Sequence, residues 1–179
     1  MSGTGKAVLL VAIVAIAFLL GVYVGTTFVH PELGQPLTEV CFSPREDCAS
    51  IVVRRISEAK ASIHVLMFTF TLQRVADALI EAKSRGVDVR IVMERNQDVN
   101  NEVHMRLAEA GIEVRMDNNE ALMHNKIAII DSTVVITGSF NWTQSANNSN
   151  NENLLVIGDT ALAQSYESQF QTVWNQSST

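Results

Sequence analysis

The stretch His124-Asn125-Lys126-Ile127-Ala128-Ile129-Ile130-Asp131 is followed, after six residues, by Gly138-Ser139-Phe140-Asn141. The residues from Asn125 to Asp131 have strand character. Side chains two apart on a strand share a face, so His124 and Lys126 point the same way, as do Ser139 and Asn141 beyond the next turn. Two strand ends then offer an imidazole, an ammonium, a hydroxyl and an amide to one pocket. Such a set suits a phosphodiester. It supplies a nucleophile, a cation for the non-bridging oxygens and neutral donors around them. Asp131 has the opposite parity to Lys126, so it is expected to orient or support the site and not to attack.

Written as H-x-K-x4-D-x6-G-S-x-N, this pattern closely resembles the signature of the phospholipase D superfamily. Its small single-motif members are the nearest subgroup: Nuc-type bacterial endonucleases and the mitochondrial cardiolipin hydrolase group. The resemblance extends upstream through Phe42-Ser43-Pro44 and Phe68-Thr69-Phe70-Thr71, and downstream to Asn151-Glu152-Asn153. It covers roughly Cys41 to Trp174. It implies that one histidine attacks phosphorus, that a second from another copy of the motif protonates the leaving group, and that water cleaves the phosphohistidine. It also implies that no metal is needed, and that Glu152 hydrogen-bonds His124 and fixes its tautomer.

The chain has four histidines: His30, His64, His104 and His124. Only His124 lies in an H-x-K motif, so one chain holds half a site. A two-fold homodimer supplies the other half, because each subunit contributes the same patch. An imidazole with a reference pKa of about 6.5 serves as nucleophile or acid. The expected catalytic set is His124, Lys126, Asp131, Ser139, Asn141 and Glu152, with no cofactor. His64, in an apolar run, reads as a packed core histidine. The Met67-Phe68-Phe70 cluster reads as core, not as a lipid groove.

At 179 residues there is room for one domain and an appendage. Residues 7–29 carry no charge, and Ala7 to Val24 is almost wholly apolar. As a helix at about 1.5 Å per residue this run spans about 30 Å, a bilayer's hydrocarbon thickness. The expectation is a single-pass transmembrane helix. The lone Lys6 before it favours a cytoplasmic N-terminus and an extracytoplasmic domain, periplasmic or extracellular. The alternative is a signal peptide and secretion, but Phe18-Leu19-Leu20 follows the small-residue motif Ala15-Ile16-Ala17 where polar residues are expected. In an exported domain Cys41 and Cys48 close a small disulfide loop; in a cytosolic one they stay free thiols. The formal net charge is −6, and Lys6 is the only charge before Glu32, so the domain is the more acidic part. This argues against a broad, salt-driven nucleic-acid surface, though not against a local basic cleft.

The rest of the chain divides into residues 1–29 as anchor or signal, 30–40 as a Pro- and Gly-bearing linker, and 41–179 as the catalytic domain. Helices are expected over 47–60, 74–85, 101–110 and 161–174. Gly86 and Gly111 close the second and third. Strands are expected over 62–70, 87–93, 112–116, 126–130, 133–137 and 153–157, with a turn at Asp131-Ser132. This order predicts an α/β domain with a mixed β-sheet flanked by helices. Two substrate classes fit: DNA or RNA for a Nuc-type endonuclease, or a membrane phospholipid such as cardiolipin or a phosphatidylcholine-like lipid. A third reading is a dimeric binding module without turnover, against which the intact His, Lys, Ser and Asn speak.

Overall fold

The runs Ser62–Met67 and Asp88–Met93 each have one wholly apolar face and a second that turns apolar towards the strand's end, at Leu66 and Val92, which suits strands covered from both sides there. In the computed structural model, which describes residues 37–179, they are the centre of a seven-stranded sheet. In chain order the strands are β1 (Leu37–Ser43), β2 (Ser62–Met67), β3 (Asp88–Met93), β4 (Glu113–Met116), β5 (Lys126–Ile130), β6 (Val134–Gly138) and β7 (Glu152–Gly158). The spatial order is β1-β7-β6-β5-β2-β3-β4. β2, β3 and β4 run parallel, and every other neighbouring pair is antiparallel. The helices α1 (Cys48–Glu58), α2 (Gln73–Ser84), α3 (Asn101–Glu109), α4 (Gln144–Asn148) and α5 (Thr160–Gln176) complete the domain. The mixed α/β sheet read from the sequence is present. The expected span at residues 7–29 lies outside the described residues. Among the described residues, no helix is long and apolar enough to cross a membrane.

Two cores form on the two faces of the sheet. Val52 and Ile56 of α1, Val75 and Leu79 of α2 and Leu107 of α3 pack on one face. Ala163, Phe170, Val173 and Trp174 of α5 pack on the other, against Leu66, Val92, Ile127, Ile129 and Val135. Asp47 caps α1 by accepting the Ser50 N–H, and Asp159 caps α5 by accepting that of Leu162.

The structure departs from the sequence expectations in three places. The linker ends sooner: Leu37–Val40 belong to β1, and the compact unit begins at Pro36. β1 is an edge strand with Val40 and Phe42 half exposed, so its apolar alternation carries no core signature. The strand expected to reach Phe70 stops at Met67, and residues 68–72 turn across the sheet's end, where Thr71 and Leu72 both donate to the Trp142 carbonyl. A short helix, α4, stands where no helix or strand was expected; the Thr143 hydroxyl caps it by accepting the Ala146 N–H.

Candidate active site

The strand register brings the C-terminal ends of β1, β2, β3 and β6 to the same end of the sheet as the starts of β5 and β7. Met67 lies opposite Lys126, and Ser43 opposite Glu152. In open α/β sheets, ligands bind beyond the carboxyl ends of the parallel strands.

His124 is exposed on the loop just before β5. Its imidazole meets the Phe68 ring edge-on, with centroids 4.4 Å apart. Lys126, the first residue of β5, is 9% exposed and sits with Nζ 4.7 Å above the same ring. The ammonium donates to the His124 carbonyl at 2.8 Å. Phe68 thus supports both groups, a role its reading as core did not foresee. Burial pushes the Lys126 pKa below its ordinary 10.5, opposed by the charge of Glu152.

The loop that carries His124 is tied from beneath. Glu94, buried at the end of β3, accepts the Met123 N–H at 2.7 Å and the Asn96 N–H at 2.9 Å. The Asn125 carbonyl accepts the Phe68 N–H. Asn100, fully buried, accepts the Phe70 N–H at 2.8 Å and donates to the carbonyls of Phe68 and Glu94. Neither Glu94 nor Asn100 was anticipated. A carboxylate straight after an apolar strand, as in Val92-Met93-Glu94, is the one signal that pointed to the first.

On the other side, the Ser139 hydroxyl donates to Glu152 Oε2 at 2.5 Å and accepts from the backbone and side-chain nitrogens of Asn153. The second oxygen of Glu152 accepts from Asn150 Nδ2 at 3.1 Å. The bond expected from Glu152 to His124 is absent among the described residues; the acid engages Ser139 because β7 starts beside the end of β6. Asn141 accepts the Thr69 N–H through Oδ1 at 3.3 Å, which leaves its NH2 group to point elsewhere. Gly138 has φ +142°, and a Cβ there would lie 2.3 Å from the Asn153 carbonyl oxygen. Only glycine lets β6 pass β7 so closely.

Asp131 is the exception to the grouping. It lies at the far end of β5, where its carboxylate accepts the N–H groups of Lys60, Ala61 and Ser62. Its support is to the fold, since it pins the hairpin turn to the entry of β2. His64 is buried, stacked on Phe170 with centroids 4.6 Å apart and bonded to Glu167 through Nδ1 at 2.8 Å. Cys41 and Cys48 are bonded to one another and buried, with Cα atoms 5.7 Å apart. Among the described residues, no three His, Cys, Asp or Glu side chains gather as a metal site.

A cavity of about 400 Å³ opens at His124 and Lys126, bounded by Thr137 and Gly138 of β6 and by Tyr166 and Gln169 of α5. An exposed nucleophile beside a desolvated cation, ringed by neutral donors, can attack an anionic phosphoryl centre and hold its charge.

Comparison with known proteins agrees with this chemistry. The family model described as cardiolipin synthase, phospholipase D-like domain, matches residues 52–174. A phospholipase D of Rickettsia prowazekii is 39% identical over 136 residues, 75% of this chain and 66% of that protein. A mitochondrial cardiolipin hydrolase of Xenopus tropicalis is 34% identical over 152 residues, 84% of this chain and 72% of the other. The crystal structure of Nuc, a phospholipase D family member from Salmonella typhimurium, superposes with a TM-score of 0.76. It is 36% identical, and the match covers 80% of this chain and 97% of Nuc. Fold and site define a phosphodiester hydrolase. The chain belongs to the phospholipase D superfamily, among its single-motif members.

Proposed function

We propose that the chain is a Nuc-like, metal-independent endonuclease that cleaves DNA or RNA through a phosphohistidine in a homodimer. The observation that carries this reading is that, among the described residues, His124 is the single exposed imidazole at the site. His64 is locked against Phe170 and Glu167, and His104 is on α3. The acid that protonates the leaving oxygen therefore comes from a second copy. A ring nitrogen of His124 attacks phosphorus as the P–O bond breaks, and the leaving oxygen takes its proton from the partner's His124. Water then attacks phosphorus, the P–N bond breaks, and the water's proton returns to the partner's His124. Lys126 holds the non-bridging oxygens throughout.

The sheet beside the site supports the dimer. Val40 and Phe42 are 48% and 50% exposed, and Val40 is paired with the half-buried Leu155. This edge face is more apolar than solvent favours, and a symmetric partner would cover it. The near-complete coverage of Nuc supports the nuclease reading. A second reading, phospholipid hydrolysis, is favoured by the names of the Rickettsia and Xenopus relatives and by the apolar run at residues 7–24. We further propose a membrane-anchored chain with its domain outside the cytoplasm, where the Cys41–Cys48 bond would persist.

The test uses the full-length chain in detergent with EDTA. It is offered plasmid, single-stranded RNA and mixed micelles of cardiolipin or phosphatidylcholine. Nucleic-acid cleavage that is lost in His124→Ala, with the circular dichroism spectrum retained, is expected. Head-group release without strand cleavage selects the lipid reading, and turnover of none of the three leaves the binding module.

A further inference from the structure

The mechanism uses one wall of the His124 cavity and leaves the other unexplained. That wall belongs to α5, and it continues past the site. A second cavity of about 460 Å³ adjoins the first, and Asn125 and Gln169 line both. Among the described residues, neither of these two side-chain amides has a hydrogen-bond partner. The second cavity has an apolar floor: Leu122 is 48% exposed, and Met123 and Val173 lie buried beneath. Around that floor the rim is amide, with Asn118, Asn119 and Gln176 beside the shared pair. Its single acid, Asp117, is buried and accepts the Asn119 N–H.

We propose that this groove along α5 is a nucleoside subsite, which takes the base and sugar next to the scissile phosphate; the proposal rests on the nuclease reading above. Each cavity is of ligand size, apolar below and polar at its edge. An amide both donates and accepts, and a base edge presents both kinds of group within a few ångströms. The floor of Leu122, Met123 and Val173 offers an apolar surface against which a face of a base can lie. Asn118 and Asn119 already donate to the Gln176 and Leu122 carbonyls, but an acyl chain offers no partner to the amides of Asn125, Gln169 and Gln176 and would strip them of water at a cost. No cation lines the second cavity, so it does not hold a further phosphate. Gln169 stands where the two cavities meet and is the specificity-determining residue of the subsite.

The measurement compares kcat/KM for a single-stranded oligonucleotide with that for bis(p-nitrophenyl) phosphate, which has no base or sugar. In the full-length Gln169→Leu protein the oligonucleotide-to-small-ester ratio is expected to fall about tenfold, the loss expected for one bidentate amide–base contact. The loss should be carried by KM and largely restored in Gln169→Asn. A ratio unchanged from wild type overturns the subsite while leaving the nuclease standing. So does an equal loss on both substrates, which marks a distorted site. Wild-type protein that hydrolyses the small ester but no oligonucleotide removes the nuclease reading and the subsite together.

Discussion

Lys126 is caught between burial, which lowers its pKa below 10.5, and the carboxylate of Glu152, which raises it. In the proposed mechanism its ammonium is the charged state that binds phosphate, so activity is expected to fall as pH rises through the folded pKa. The alkaline limb of kcat/KM is expected below pH 10.5. Glu152→Gln keeps an acceptor for the Ser139 hydroxyl but removes the supporting charge. It is expected to move that limb to lower pH; a limb that stays put or rises would show that Glu152 does not act on Lys126. Gly138 gives a second prediction at this scale. Gly138→Ala forces a Cβ onto the Asn153 carbonyl, and is expected to cost about 2 kcal/mol in a urea titration and most of the activity. An alanine variant with wild-type stability would mean that β7 yields freely. The candidate catalytic groups were legible because the H-x-K and G-S-x-N spacings hold them in sequence. Phe68, Glu94 and Asn100 were not, because their role exists only once β2, β3 and the His124 loop meet. Nothing local in Asp98-Val99-Asn100 announces a fully buried amide that bridges two chain segments.

At the scale of elements, the β5–β6 hairpin repays attention, since the motif's aspartate serves it. Asp131 and Ser132 both have φ +53°, the left-handed pair that a tight hairpin turn requires. Burial raises the Asp131 pKa, but the N–H groups of Ser62, Ala61 and Lys60 outweigh it and hold the carboxyl below its ordinary 3.8. A depressed carboxyl stabilises the fold above its unfolded pKa and loses that contribution as pH falls through the folded value. Asp131→Ala is therefore expected to cost about 1–2 kcal/mol near neutral pH, with the gap to wild type closing below pH 3.8. The small-ester kcat measured well below the melting temperature should change little. A variant that stays fully stable but loses turnover would return Asp131 to the catalytic set. Central strands and the helices between them were legible from apolar runs and the glycines that follow α2 and α3. β1 was hidden because an edge strand buries only one face, and Pro36 beside it reads as tether. α4 was hidden because Gln144–Asn148, four polar residues around one alanine, carry no periodicity; a threonine cap and packing of Ala146 make it a helix.

At the scale of the molecule, the proposed mechanism gives one chain a nucleophile without an acid, and the sheet edge beside it presents Val40 and Phe42 to solvent. The proposed two-fold dimer would meet both deficits. If the dimer's composite site needs both His124 side chains, a heterodimer of wild-type and His124→Ala chains has one imidazole where two are required and turns nothing over. After full exchange in an equal mixture, about a quarter of the dimers are wild-type homodimers. Activity per wild-type chain should then drop to about half of its unmixed value, and continue downward as more variant is added. Subunit exchange is checked separately by fluorescence transfer between differently labelled chains. A monomeric enzyme, or a dimer whose chains work independently, keeps full activity per wild-type chain at every mixing ratio. That result, with exchange demonstrated, would refute the shared site and require the leaving-group proton to come from within one chain. Val40→Asp with Phe42→Asp places like charges across the proposed contact. It is expected to dissociate the dimer by light scattering and to abolish turnover, although it leaves His124, Lys126 and the β5–β6 hairpin untouched.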